Sequence, residues 1–315
     1  RYPRANMLRN VLKDGLSIEQ RLGVSPFKLG FIGSTDTHNG IPGAVDEDDA
    51  PGSHGSDDDN PLGRIVERKI YDNPGALAVV WAEENSRDAL FEAMRRREVY
   101  ATSGTRPIVR FFGGWGIDAD LCRKRNQVLR ADRAGVPMGG DLPRFPGRRR
   151  PRFYVSALKD PGTAERAGTD LQRIQIVKGW VDAGGETHEQ VIDVAGDGDG
   201  DASVDPQTCE PVGPGASELC AVWEDPAFDP AQNAFYYARV LENPSCRWST
   251  FVCKQLGVDP FSSSCIAAAD AAGPGLRNCC RDESNDAFVS PVIQERAWTS
   301  PIWYRPAAAD RAAAS

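Results

Sequence analysis

No stretch of this sequence approaches the roughly 20 consecutive apolar residues that span a bilayer, so a transmembrane helix is excluded. Basic residues are outnumbered, 37 Lys and Arg against 45 Asp and Glu, giving a net charge of −8. That balance excludes general nucleic-acid binding, because phosphate contacts require clustered Lys and Arg. The short run Arg148 to Arg150 reads as a solvated loop. No internal repeat is present. The chain opens with Arg1-Tyr2-Pro3-Arg4, lacking both an initiator Met and an apolar signal segment, and the expectation is a longer parent that lost its beginning.

What is present describes a globular protein: 40% hydrophobic and 26% charged residues over 315 positions, enough for two domains. Seven of the eight cysteines (Cys209, Cys220, Cys246, Cys253, Cys265, Cys279 and Cys280) fall in the C-terminal third. Cys-x6-Cys and Cys-Cys are not the paired Cys-x2-4-Cys knuckles of structural zinc, so the clustering points to disulfides and an oxidising compartment. Cys209 and Cys220 enclose a Pro- and Gly-rich loop and are expected to pair with each other. Adjacent Cys279 and Cys280 are expected to take separate partners, and Cys122 is either a buried thiol or a long-range partner.

Apolar residues at Met7, Leu8, Val11, Leu12 and Leu16 have helical spacing over residues 4–22, and Gly23 ends the run. Phe27 to Gly33 reads as a short buried strand leading into Asp36 and His38. Residues 39–63 form a long Gly-, Pro- and Asp-rich loop. Leu77 to Trp81 and Val99 to Thr102 are strand-like, with a helix between them opened by Asn85 and Asp88. Beyond Arg106 the pattern changes to strands at 108–112, 153–157, 174–180, 190–194 and 235–241, without a convincing long helix. The fold class is therefore α/β plus all-β: an α/β barrel or doubly wound sheet over 1–106, a disulfide-containing β-sandwich-like domain over 107–305, and a flexible tail at 306–315.

In an extended chain residues i and i+2 project to one side, so Asp36 and His38 are the best metal-ligand candidates, against the alternative of a turn cap and a surface histidine. An apolar strand ending in the pair and followed by a long loop is where α/β folds place their sites. His54, in the same loop, is a candidate for substrate or additional metal. Ser103 and Arg106 offer a hydroxyl, amides and a guanidinium to an anion, or simply close the sheet.

The runs Phe31-Ile32-Gly33-Ser34-Thr35-Asp36-Thr37-His38-Asn39-Gly40, Trp81-Ala82-Glu83-Glu84-Asn85 and Val99 to Arg106, with Val136 to Leu142, Ile176 to Trp180, Ala234 to Val240 and Thr299 to Tyr304, resemble the DUF3604 family. That family looks like a branch of the PHP (polymerase and histidinol phosphatase) metal-dependent phosphoesterases. The resemblance implies that residues 1–106 are the C-terminal part of a distorted PHP-type barrel, with Asp36-Thr37-His38 matching its late Asp-x-His metal motif. No His-x-His occurs in these residues; either the earlier ligands preceded Arg1 or the chain is inactive. The implied activity is metal-activated attack of water on a small anionic ester, with zinc, manganese or iron as the metal, in the periplasm or outside the cell. A sulfate ester, or a non-catalytic envelope or binding protein, are the alternatives. His38 must be neutral to coordinate, so binding should weaken in acid.

Asp197, Asp199 and Asp201 have the alternation of a calcium loop, but Ala202 replaces the expected Gly and Thr208 the bidentate Glu, which favours a flexible acidic turn. Trp223, Phe235, Tyr236, Tyr237, Trp248, Trp298 and Trp303 read as core of the β domain, an exposed subset being suited to carbohydrate.

Overall fold

Side chains that alternate along each strand organise this fold into sheets with two apolar faces apiece. The computed structural model describes residues 7–38, 40–41, 43, 54–66, 70, 75–164, 166–198, 200–280 and 290–307. The larger sheet runs in the order β1 (Leu77–Val80), β2 (Val99–Thr102), β12 (Val292–Thr299), β11 (Ala234–Cys246), β6 (Leu171–Val181) and β7 (Thr187–Gly196), with β13 (Ile302–Tyr304) also on β11. The smaller runs β10 (Glu218–Glu224), β5 (Arg152–Leu158), β3 (Ile108–Gly114) and β4 (Val136–Pro137). A hairpin of β8 (Ser203–Val204) and β9 (Pro211–Val212) completes the set.

The result is a mixed α/β protein dominated by antiparallel sheets. Every pairing between named strands is antiparallel, and among the described residues none closes a barrel. β1 and β2 hydrogen-bond through β12 into the sheet of β11 and β6, so the ladder crosses the boundary expected at residue 106. Three helices of eight residues each lie beyond that point, α4 (Gln127–Ala134), α5 (Trp248–Gln255) and α6 (Cys265–Ala272). They are too short for periodicity to stand out from strand-like runs.

The largest core cluster takes Val109 and Phe111 of β3, Phe153, Val155 and Ala157 of β5, Ile174 and Ile176 of β6, and Tyr236, Ala238 and Val240 of β11. Both sheets thus turn one alternating set of residues toward this core. On the far side of the smaller sheet, Phe112 and Tyr154 pack with Ile117, Leu121 and Ala131. On the far side of the larger one, Val177, Val181, Phe235 and Tyr237 receive Leu12 and Leu16 of α1 (Leu8–Leu22). Both leucines are fully buried, each contributing about 1.5–3 kcal/mol. Gly179 sits opposite Phe235 and has no space for a Cβ, which would lie 2.2 Å from the ring.

α1 ends at Gly23, in the left-handed region with φ 80° and its N–H donating to the Glu19 carbonyl. Its polar side is held by Arg9 and Lys13, which pair with Glu189 of β7 at 3.0 and 2.7 Å. Burial alone would raise the Glu189 carboxyl, but hydrogen bonds from Lys13 and Arg9 outweigh it and hold it below the ordinary range. A depressed carboxyl contributes stability above the unfolded-state value of about 4.3, and this is lost as pH falls through the lower folded value. Thermal melts across acid pH should therefore show a steeper decline for the wild type than for Glu189→Gln; superimposable profiles would remove this linkage.

Several expectations are corrected. Phe27 to Gly33 is not a ladder strand: Ile32 is 60% exposed, and the segment is attached by single bonds, Gly33 N–H to the Leu77 carbonyl and Phe31 N–H to Ser300 Oγ. The helix after β1, α3 (Arg87–Arg95), is capped by Ser86, whose hydroxyl accepts from Ala89 N–H, and not by Asn85. Cys209 does not pair with Cys220. The disulfides are Cys122–Cys220, Cys209–Cys246, Cys253–Cys279 and Cys265–Cys280. Cys220 and Val222 face away from the main core, on the side where Cys122 lies. The turn leading into Cys209 is held by Asp205, which accepts from the Gln207, Thr208 and Cys209 amides. Cys279 and Cys280 do take separate partners.

Candidate functional site

Gly33 fixes where the Asp36–His38 segment leaves the sheet. A Cβ there would lie 2.8–2.9 Å from the Leu77 and Thr102 backbone, so only glycine lets the chain lie flat on β1 and β2. Phe31 N–H donates to Ser300 Oγ, which itself donates to the Val99 carbonyl, so the segment is tied to the sheet at two points. Beyond Gly33 the backbone turns. Asp36 has φ 52°, in the left-handed region, with its amide on Ser34 Oγ at 3.3 Å. That conformation is uncommon for a residue with a Cβ and is costly unless its surroundings hold it. It also removes the simple i, i+2 projection on which a shared direction for Asp36 and His38 was expected.

His38 instead meets His54. The two imidazoles stack with centroids 4.9 Å apart and planes 16° from parallel, although 15 residues separate them in sequence. His54 is the N-cap of a short 3-10 turn, Gly55–Asp57, that leads into α2 (Pro61–Ile65). Asp58 steadies it. The Asp58 side chain is 6% exposed, its Oδ1 accepts the His54 amide at 2.8 Å, and its Oδ2 lies 3.5 Å from His54 Nδ1. The last distance is long for a hydrogen bond but close enough for electrostatic orientation. A carboxylate beside Nδ1 leaves Nε2 as the outward nitrogen, the arrangement by which second-sphere carboxylates aim imidazole ligands.

The remaining candidates are placed differently. Ser103 is engaged with β12: its N–H donates to the Arg296 carbonyl at 2.9 Å and its hydroxyl accepts the Arg296 amide at 2.8 Å. The Arg106 amide donates to Asp160 Oδ2 at 2.6 Å, and its guanidinium reaches the Gly43 carbonyl at 3.5 Å. His188 belongs to a hairpin, bonded to Asp182 at 2.8 Å and stacked on Trp180. Asp199 of the acidic turn lies outside the described residues, as does most of the loop between His38 and His54.

Among the described residues no three His, Cys, Asp or Glu side chains converge to hold a metal ion. His38, His54 and Asp36 supply donors of the right chemistry but not a complete ligand set, so no catalytic step is assigned to a metal here. Asp58 was missed from sequence. The signal available for it was the i, i+4 spacing from His54, which brings two side chains together across a helical turn.

Antiparallel sheets stapled by four disulfides, with short helices around them, define an extracytoplasmic type of mixed α/β protein. The chain belongs to the DUF3604 family: the sequence profile described as "Protein of unknown function (DUF3604)" matches residues 1–271. No curated protein and no solved structure matches the chain. No helix among the described residues is long and apolar enough to cross a membrane.

Proposed function

We propose that this chain is part of a metal-dependent hydrolase acting on a small anionic ester in the periplasm or outside the cell. The observation that carries this reading is the convergence of His38 and His54, with Asp58 aiming the second imidazole. The resemblance of Asp36-Thr37-His38 to the late Asp-x-His metal motif of PHP phosphoesterases supplies the reaction class in this reading. In the sequence Asp46, Glu47, Asp48 and Asp49 stand between the two histidines, outside the described residues. Zinc, manganese or iron suits imidazole and carboxylate donors. A bound divalent ion would acidify a water and offset charge on the ester, with the protein supplying position.

Titration of the metal-free protein with zinc or manganese tests this. Removing a ligand or its orienting partner is expected to weaken binding by about 10–100-fold, so His38→Ala and His54→Ala should each do so, and Asp36→Ala likewise, with melting temperature nearly unchanged. Unaltered metal content in all three variants, measured by elemental analysis, would refute the assignment. A second reading is a non-catalytic binding protein on the same scaffold. Stoichiometric metal binding without turnover of phosphate or sulfate monoesters would decide for it.

A further inference from the structure

Positive charge is unevenly spread along this chain. Residues 115–152 carry ten Lys and Arg against four Asp, whereas the whole chain has 37 basic residues against 45 acidic ones and a net charge of −8. This segment runs from the end of β3 through the 3-10 turn Leu121–Arg123 and α4 to the start of β5. A hollow of about 630 Å³ opens within it, between segment 115–118 and the arginines 148, 149 and 150 of the loop into β5.

The walls of the hollow are fixed by the rest of the fold. Arg152 Nη1 donates to the Ile117 carbonyl at 3.1 Å, and Trp115 Nε1 donates to the Pro143 carbonyl at 2.9 Å. Segment 115–118 is thereby tied to β5 on one side and to the arginine loop on the other. Ile117 is buried in the cluster behind the smaller sheet, and the Trp115 ring meets Phe145 and Phe228 edge-on.

The two carboxylates lining the hollow are already engaged. Glu224 holds Arg152, its ladder partner, at 2.7 Å, and Asp118 holds Lys124 at 2.9 Å. Among the described residues no carboxylate is within ion-pair distance of Arg148, Arg149 or Arg150, and their side chains make no hydrogen bond to the protein. All three are exposed, as expected of a solvated loop, yet all three line the same preformed hollow. Adjacent guanidinium groups repel one another, so the arrangement costs the isolated protein and is relieved when an anion arrives.

Guanidinium forks match the oxygens of carboxylate and sulfate groups. Lys124 ties the neighbouring 3-10 turn to the hollow, and Arg123 and Arg125 on either side of Lys124 are exposed. A partner with many anionic groups therefore gains more than one with a single group. A flat bilayer cannot enter a concave hollow, whereas a polymer chain can. Trp115 stays partly exposed at the hollow, an indole beside cations and suited to a sugar ring. Four disulfides place the chain in an oxidising compartment, where nucleic acid is not the resident polyanion.

We propose that this hollow and its arginine rim form a docking surface for an anionic polysaccharide, with sulfate or carboxylate groups on Arg148, Arg149 and Arg150 and a sugar ring beside Trp115. The surface shares no residue with the His38–His54 pair, and it does not rest on the hydrolase reading.

Binding of fluorescence-labelled dextran sulfate to the intact, oxidised protein at about 50 mM salt, where surface charges still act, tests this. Dextran sulfate should bind saturably, and unsulfated dextran of the same length should not. Arg148→Gln, Arg149→Gln and Arg150→Gln combined should weaken binding by about 10-fold or more and flatten its salt dependence. Melting temperature should not change, because all three side chains are exposed. Arg21→Gln, Arg87→Gln and Arg95→Gln combined remove the same charge at exposed positions elsewhere and should bind as the wild type does. No saturable binding of dextran sulfate would overturn the proposal, as would equal losses in the two triple variants. Vesicles of phosphatidylglycerol or duplex DNA bound as tightly as dextran sulfate would also overturn it, in favour of a lipid surface or of unselective polyanion binding. Inorganic sulfate that competed at an equal concentration of sulfate groups would reduce the surface to a single-ion site and overturn it as well.

Discussion

Lys178→Met is expected to destabilise the protein by about 3–5 kcal/mol, the loss typical of removing one partner from a buried ion pair. Lys178 of β6 reaches Asp225 at 2.6 Å, with side-chain exposures of 4% and 1%, so neither charge has access to solvent. The pair is fully dressed: Lys178 also donates to the Ala227 carbonyl at 3.0 Å, and the Tyr236 hydroxyl donates to Asp225 at 2.7 Å. Removing the ammonium leaves a buried carboxylate supported by a phenol and a turn amide, Ala227 N–H at 3.0 Å. Burial of Tyr236, reinforced by Asp225, raises its hydroxyl well above the ordinary value, so it stays a donor across the accessible pH range. Lys178→Met combined with Asp225→Leu should recover much of the loss, because the penalty lies in the orphaned charge rather than in the absent attraction. Urea unfolding of the three proteins measures this. A single variant within about 1 kcal/mol of wild type, inside the range of an exposed ion pair, would mean that water reaches the pair.

The ion pair was not legible in the sequence, and the reason is general. Lys178 stands in an apolar strand where alternation places it toward the core, but nothing local names its partner 47 residues away. Alternation and helical spacing did reveal α1 and most of the long strands, since each follows from burying one face. Their ends moved outward: the run expected at 235–241 extends over Ala234–Cys246 because ladder pairing with β6 and β12 continues past a bulge. Phe27 to Gly33 misled because an apolar run with two glycines satisfies the strand pattern while bonding only once to its neighbour strand. In the candidate site, His38 and His54 were individually visible. Their stacking was not, because no helical or strand periodicity relates two histidines with 15 residues between them. Asp36 kept its candidacy while losing its geometry, since a left-handed backbone replaced the extended one.

Disulfide connectivity was the least legible feature, and the pairing with the greatest sequence separation should matter most. Cys122–Cys220 joins residues 98 apart, against 15 for Cys265–Cys280. In the chain-entropy model a loop near 100 residues corresponds to about 4.7 kcal/mol, and one near 15 to about 3 kcal/mol. Phe112, Ile117, Leu121, Ala131 and Tyr154 form the small cluster behind the lesser sheet, and Cys122 and Cys220 pack against it. Gln127 at the start of α4 adds hydrogen bonds to the Cys122 carbonyl, at 2.8 Å, and from the Tyr154 hydroxyl, at 3.0 Å. Replacing both cysteines with alanine should therefore lower stability by about 4–5 kcal/mol, and Cys265→Ala with Cys280→Ala by about 3 kcal/mol. Alanine is preferable to serine, which would place a hydroxyl against the apolar cluster. Guanidinium unfolding under non-reducing conditions gives both values. If the Cys122/Cys220 variant lost less than the Cys265/Cys280 variant, loop entropy would not be the controlling quantity, and local packing around each bond would have to account for the order.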